Sequence, residues 1–303
     1  MSLIPYNPSL ELYPNGFKNL GATCYFNAVL QAMLSCTSFI DTILKIKAED
    51  PIINTFSEFI YVNKGNKNID VLHKYSPHIW QQMIKKLCKN KNIPPQTFMR
   101  GQQCAGEGFY YLLESMEEFP NIQNLFLHRY KSLIHCFDCN QWVSEVECMY
   151  SLFEVEPNLK SEQLEQFKEY HKEATNMHEF LSKQDSYVED FICDKCKSRN
   201  SKYRVNMLVM VPEILVVMAK KYDKTAKLDI HTDFPEILTF KGNNGILKYN
   251  AVAQVEHVGG KHGGHYWVIC KRNNGWFNIN DITVAQAKFQ PTKNTYIVFY
   301  HLQ

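Results

Sequence analysis

Asn19-Leu20-Gly21-Ala22-Thr23-Cys24-Tyr25-Phe26-Asn27 opens the stretch whose periodicity decides the first half of the chain. From Cys24 to Cys36 apolar residues recur at Ala28, Val29, Ala32 and Met33, with Leu30 and Leu34 a step away. That is helical spacing over about three turns. Thr23, or Asn19 across the preceding turn, is a candidate cap, so the spacing predicts Cys24 at a helix N-terminus. The positive end of the helix dipole there favours a thiolate and lowers the thiol pKa. On its own a cysteine in an apolar helix is more often a small buried hydrophobe. A nucleophile needs a base.

Gly263-Gly264-His265-Tyr266-Trp267 offers one, because a glycine pair lets the backbone run close to a ligand just before a strand carries the imidazole. His257 and His262 lie nearby among eleven histidines, so a lone histidine proves little. A third group that orients the other ring nitrogen strengthens the reading. Trp276-Phe277-Asn278-Ile279-Asn280-Asp281 supplies two candidates, and strand alternation lets only one of Asn280 and Asp281 face His265.

The chain around these segments has 303 residues, 45% apolar and 13% aromatic, enough for a sizeable core. Thirty-three basic against 31 acidic side chains leave a formal charge of +2, too small a field for nucleic-acid backbones or anionic lipid. Met1 to Phe17 carries no Lys or Arg and no unbroken apolar stretch, and Met207 to Ala219 is split by Pro212-Glu213. Neither a secretory signal nor a membrane span is expected. Ten cysteines are too sparse for a disulfide scaffold, and two C-x-x-C pairs suit metal chemistry in a reducing compartment. An intracellular location, cytoplasm or nucleus, follows as an expectation.

Asp41 to Glu118 keeps a helical texture, best over Leu72 to Leu87 and Phe109 to Met116, with a break at Pro94-Pro95. β-Branched and aromatic residues gather from Leu133 to Pro157 and again from Tyr187 to Met218, predicting two hairpin-like regions joined by a polar helical segment near Ser161 to Ser182. Tyr249 to Val258, Tyr266 to Cys270 and Tyr296 to Leu302 predict a C-terminal sheet. Cys136 and Cys139 sit on the first hairpin region, Cys193 and Cys196 on the second. Two such pairs on tight turns are what a tetrahedral four-cysteine zinc ribbon needs, although the gap exceeds that of a minimal zinc finger. Closed four-thiolate coordination leaves no position for a water, so this Zn2+ is expected to be structural. A thioredoxin-like redox pair fits poorly, since neither pair opens a βαβ unit.

The Cys24, His265 and Asn280-Asp281 segments resemble the Cys and His boxes of the ubiquitin-specific proteases. The likeness extends to Gln102-Gln103 through Leu113, Leu215 to Tyr222, Phe234-Pro235, Tyr249 to Gly259 and Tyr296 to Tyr300. It implies an α+β fold, a papain-like cysteine protease hand in one catalytic unit over residues 1–303. The helical thumb would span 15–125, the zinc-ribbon fingers 126–215 and the β-rich palm 216–303. It implies a thiol protease that hydrolyses the bond after the C-terminal glycine of ubiquitin, with ubiquitin and ubiquitinated proteins as partners. Cys24 would be the nucleophile, His265 the base, Asn280 the third member with Asp281 as helper, and Asn19 the oxyanion donor. Gln102, Gln103, Cys104, Glu107, Gly264 and Tyr266 would contact ubiquitin's tail.

The chain departs from the family's Gln-Gln-Asp-Ala-x-Glu-Phe-Leu run, reading Gln102-Gln103-Cys104-Ala105-Gly106-Glu107-Gly108-Phe109. One of two acidic tail anchors is missing, and Gly108 costs roughly 1 kcal/mol of helix preference relative to Ala. Two other readings follow from this resemblance, a protease for a ubiquitin-like modifier and a ubiquitin-binding pseudoenzyme. A pseudoenzyme needs none of Cys24, His265, Asn280 and Asn19, all of which are present.

Overall fold

The structure is a computed structural model and describes residues 6–65, 72–99, 103–155, 186–188, 191–200, 202–222, 228, 230–242, 245–260, 263–273 and 275–303. Seven α-helices lead the described chain: α1 (Cys24–Met33), α2 (Thr37–Lys45), α3 (Pro51–Gly65), α4 (Tyr75–Lys91), α5 (Gln96–Met99), α6 (Ala105–Glu114) and α7 (Pro120–Phe126). α1 is buried along its whole length, which its lack of any charged residue permits. Asp50 starts α3 by accepting from the N–H groups of Ile52 (2.9 Å) and Ile53 (3.0 Å). Among the described residues no single helix is long and apolar enough to cross a membrane.

Twelve strands follow in two sheets. The smaller has the order β2-β1-β5-β4, from β1 (His128–Cys136), β2 (Gln141–Tyr150), β4 (Ser186–Val188) and β5 (Lys202–Met210). The larger has the order β11-β10-β9-β8-β12-β6-β3, with β7 also paired to β8. Its strands are β3 (Phe153–Val155), β6 (Ile214–Ala219), β7 (Ile237–Gly242), β8 (Gly245–Gly260), β9 (Gly263–Arg272), β10 (Gly275–Asn280), β11 (Thr283–Ala287) and β12 (Thr295–Leu302). β6 and β12 are buried throughout, and their unbroken apolar runs are those of strands covered on both faces.

The expected helix–sheet division holds, with one reassignment. β3 lies inside the 126–215 stretch read as fingers yet pairs in parallel with β6 at the edge of the larger sheet. Phe153 and Val155 join the cluster of Leu215, Val217 and Tyr300, so burial of two apolar side chains decides the pairing, which sequence adjacency does not reveal. The polar helix expected near Ser161 to Ser182 lies outside the described residues.

α1 packs on β9, β8 and β10 and is covered on its other side by α6. Gly108 permits that approach, and Gly106 lets α6 lie against β6. A Cβ at Gly106 would stand 2.8 Å from Met218 Sδ, and one at Gly108 2.8 Å from Tyr25 Cδ2. The Tyr25 ring of α1 occupies the space beside Gly108. Arg272, at the end of β9 and 1% exposed, locks the two layers together. Its guanidinium donates to Ser35 Oγ (2.5 Å) and to the carbonyl and Oε1 of Gln31 (2.7 Å each).

Candidate active site and metal centre

Cys24 is the first residue of α1. Neither Thr23 nor Asn19 caps the helix as expected: Thr23 makes no cap bond, and its Oγ1 accepts from the Leu20 N–H (3.0 Å). Asn19 Oδ1 instead ties the preceding turn, accepting from the N–H groups of Gly21 (3.0 Å) and Thr23 (3.2 Å). Gly21 stands at φ 104°, where a side chain would be strained. The helix start is left without a side-chain cap, and the backbones of Tyr266 on β9 and of Tyr25 and Cys24 favour the Cys24 thiolate. Burial still outweighs them and pushes the thiol up, and the charge of Asp281 adds to the rise. The lowering expected from the helix end alone is overturned, because the thiol is 4% exposed and a buried thiolate loses its water.

β9 and β10 carry the expected base and its expected partner. His265 Nε2 lies 2.6 Å from Asn280 Oδ1, so with the ring N–H on Nε2 the imidazole donates to Asn280 and keeps Nδ1 for accepting a proton. Asp281 begins the two-residue turn after β10, at φ 50°. Its Oδ2 accepts from Asn19 Nδ2 (3.1 Å) and its carbonyl from the Phe17 N–H (2.9 Å). Asn280 closes the strand and Asp281 lies in the left-handed turn beyond it, so the expected strand alternation does not reach Asp281, and the two residues meet different partners. Asp281 serves the asparagine and not the histidine.

A cleft of about 280 Å³ is lined by Gln103, Cys104, Glu107, Tyr222, His257, Gly260 and Tyr266, the last of which follows His265 in the chain. Cys104 Sγ is 3.1 Å from the Tyr296 hydroxyl, and burial pushes its thiol up. Gln103 Nε2 donates to the Thr97 carbonyl (3.0 Å). Glu107 is exposed in the first turn of α6. Gly264 faces Gly259 across the β8–β9 ladder and does not line the cleft. Gln102 and the rival base His262 lie outside the described residues. His257, the other rival, is 1% exposed, stacks on Tyr266 at 4.2 Å and lies 3.0 Å from the Tyr222 hydroxyl through Nδ1. It shapes the cleft wall. Sequence reading missed Tyr222, Tyr296 and Gly16. For Gly16 a signal existed, a glycine shortly before the nucleophile, because a Cβ there would stand 2.2 Å from the Asp281 carbonyl oxygen.

At the far end of β1 the second constellation assembles. The sulfurs of Cys136, Cys139, Cys193 and Cys196 all lie within 4.8 Å of one another. Cys136 to Cys196 is 3.7 Å and Cys139 to Cys193 is 3.8 Å. Zn–S bonds of about 2.3 Å in a tetrahedron place sulfurs roughly 3.8 Å apart, so the set fits zinc and is too open for disulfides. β1 pairs with β5 so that Cys136 stands opposite Lys202, which is how the distant second pair returns to the first. Each pair is followed by a left-handed residue, Asn140 at φ 52° and Lys197 at φ 60°. The Cys196 N–H donates to Cys193 Sγ (3.4 Å), a contact that favours the thiolate.

A family model for ubiquitin carboxyl-terminal hydrolase matches residues 15–300. The mouse ubiquitin carboxyl-terminal hydrolase 17-like protein B is 22% identical over 94% of this chain, which spans 63% of that relative's length. Ubiquitin carboxyl-terminal hydrolase 4 of Arabidopsis thaliana is 26% identical over 89% of this chain and 84% of its own. Among solved structures, a SAGA DUB module containing Ubp8 and bound to ubiquitin aldehyde has a TM-score of 0.72 at 18% identity, covering 100% of this chain and 72% of that one. The same module bound to monoubiquitin gives a TM-score of 0.71. At that identity the likeness establishes a shared fold.

Proposed function

The chain belongs to the ubiquitin carboxyl-terminal hydrolase family, and from that premise we propose that it is a thiol protease cutting the amide or isopeptide bond after the C-terminal glycine of ubiquitin. The observation that carries the reading is the His265 to Asn280 contact of 2.6 Å, with Tyr266, the next residue after His265, lining a small space together with Cys24 at its helix start. Ubiquitin's tail would lie in the cleft of Cys104, Glu107 and Tyr266, its last carbonyl over Cys24. As Cys24 Sγ attacks that carbon, His265 Nδ1 takes the thiol proton. The carbonyl oxygen becomes an anion. Asn19 Nδ2 has two hydrogens, one held by Asp281 and the other free to donate to that anion. Collapse expels the amine, which carries off the proton from His265, and a water then hydrolyses the thioester to release ubiquitin's carboxylate.

The four cysteines would hold one structural zinc ion in the fingers, outside the chemistry. Reduced thiols are needed at both sites, which favours work inside the cell, in cytoplasm or nucleus.

A second reading has its own observation. The cleft presents Cys104 bonded to Tyr296 where an acid would grip a basic tail, leaving Glu107 as the carboxylate among the lining residues. A ubiquitin-like modifier with a less basic tail would suit that wall. Ubiquitin carrying a C-terminal electrophile, beside the same probe built on ubiquitin-like proteins, separates the two. Labelling of the wild type by the ubiquitin probe and none of Cys24→Ala is expected; labelling only by another modifier moves the function to the second reading.

A further inference from the structure

Two buried charged side chains lie next in sequence to the cleft wall, and the chemistry proposed above uses neither. Glu256 on β8 is 2% exposed, and Lys221, just past β6, is 0% exposed. The Glu256 carboxylate accepts from Thr295 Oγ1 (2.6 Å), Thr292 Oγ1 (2.8 Å) and Gln254 Nε2 (2.9 Å). Burial pushes the carboxyl up, and these donors together with the Lys221 charge pull it back. Lys221 Nζ donates to the Lys293 carbonyl (2.6 Å), and the Gln254 side chain exchanges two bonds of 3.0 Å with the Gln290 backbone. Residues 290–294 belong to no strand. Buried side chains fasten them to β8 in place of a ladder.

Each anchor of this network is followed in the chain by an aromatic residue at the cleft: Lys221 by Tyr222, Glu256 by His257 and Thr295 by Tyr296. Successive side chains on a strand point to opposite faces, so Glu256 turned toward the loop sets His257 toward the cleft. Tyr222 and His257 line the cleft, and Glu256 does not. The Tyr222 hydroxyl lies 3.0 Å from His257 Nδ1, and the Tyr296 ring meets Tyr222 edge-on at 5.8 Å while its own hydroxyl lies 3.1 Å from Cys104 Sγ. The His257 N–H donates to the Asn294 carbonyl (2.9 Å), which ties the same loop to the wall directly.

Charges in a dry interior are a poor source of stability, because apolar side chains of the same volume serve as well. What a fully bonded polar network does supply is one fixed arrangement. Resting on the deubiquitinase reading, we infer that Glu256 is a positioning residue for the tail cleft. It holds residues 290–294, β8 and the start of β12 in the arrangement that stands Tyr222, His257 and the Tyr296–Cys104 pair against ubiquitin's tail. Its loss loosens the wall and weakens the hold on the tail, while Cys24, His265 and Asn280 keep their places.

The test uses the full chain and ubiquitin with a C-terminal fluorophore amide. Glu256→Gln keeps the shape, turns an acceptor into a donor facing the threonine hydroxyls and leaves Lys221 without its counter-charge. It is expected to raise KM about tenfold while kcat stays within about twofold. Thr292→Val, at a half-buried position, removes one donor to Glu256 and should raise KM less, with the same sign. Alkylation of Cys104, followed by peptide mapping, should become faster in both variants as Tyr296 loosens. A fall in kcat at unchanged KM would make Glu256 a support of the fold alone and overturns the inference, as does an unchanged KM and kcat in both variants. Should Glu256→Gln not fold, Thr292→Val decides by the same measurements. A wild type that cuts no ubiquitin substrate fails the deubiquitinase reading itself; the Cys104 alkylation rates then decide the positioning role, and unchanged rates in both variants overturn it.

Discussion

Asp281 and Asn280 are adjacent residues with opposite duties, and their substitutions should separate accordingly. Asn280→Ala frees the imidazole to turn and should cost less activity than His265→Ala, whose loss is expected to reach at least about 10²-fold. Asp281→Asn keeps an oxygen for Asn19 but removes a negative charge that raises the Cys24 thiol. The sign follows: thiolate forms more easily, so the midpoint for alkylation of Cys24 by iodoacetamide should move to lower pH. An unmoved or higher midpoint refutes this. Cys104 poses a separate question, whether position 104 still faces the tail. It lines the cleft, so Cys104→Asp in a Cys24→Ala background should tighten ubiquitin by roughly 1.5 kcal/mol, about tenfold, and steepen the salt dependence of binding. No gain at low salt, or a fall in stability in its place, would show the new carboxylate buried and uncompensated.

Among elements, the two C-x-x-C turns depend on each other because each offers only half a tetrahedron. Metal analysis should return one zinc per chain, and Cys193→Ser should release it and weaken ubiquitin capture while leaving the pH midpoint of Cys24 alkylation in place. Metal-free protein with undiminished capture would refute the assignment. The joint between α7 and β1 carries His128, buried and within 5.3 Å of Phe153. Burial pushes its pKa down to about 4, the Phe126 carbonyl pulling slightly the other way. A depressed histidine stays neutral in the fold but charges in the unfolded chain below its ordinary value of about 6.5. Stability present above that pH is therefore lost as pH falls toward 4, by up to about 3 kcal/mol. His128→Phe should shrink the drop in Tm between pH 7 and pH 5. His301, also buried and pushed down to about 4, should preserve part of the slope.

At the scale of the whole molecule, the proposed chemistry depends on how α1, which carries Cys24, is set against β9, which carries His265, and Arg272 bridges them. Arg272→Met keeps the stem but abandons the Gln31 and Ser35 oxygens in a dry interior, at a cost of about 3 kcal/mol. Urea unfolding should show that loss, with kcat falling even where the variant remains folded; full activity and an unchanged midpoint would mean the lock is dispensable. The sequence alone determined that Cys24 heads a helix, that His265 and Asn280 ride strands, and that Cys136, Cys139, Cys193 and Cys196 form one metal-binding set. Periodicity and spacing are local properties, and local properties are written in consecutive residues. What the burial of distant residues decides was not legible there. The pairing of β3 with β6, the contact of Cys104 with Tyr296, the diversion of Asp281 to Asn19 and the upward push on the Cys24 thiol each join residues far apart in sequence, or depend on water excluded by them. Only tertiary packing sets such distances and that local dryness, because the free energy of a buried thiol or carboxylate belongs to its surroundings and not to its neighbours in the chain.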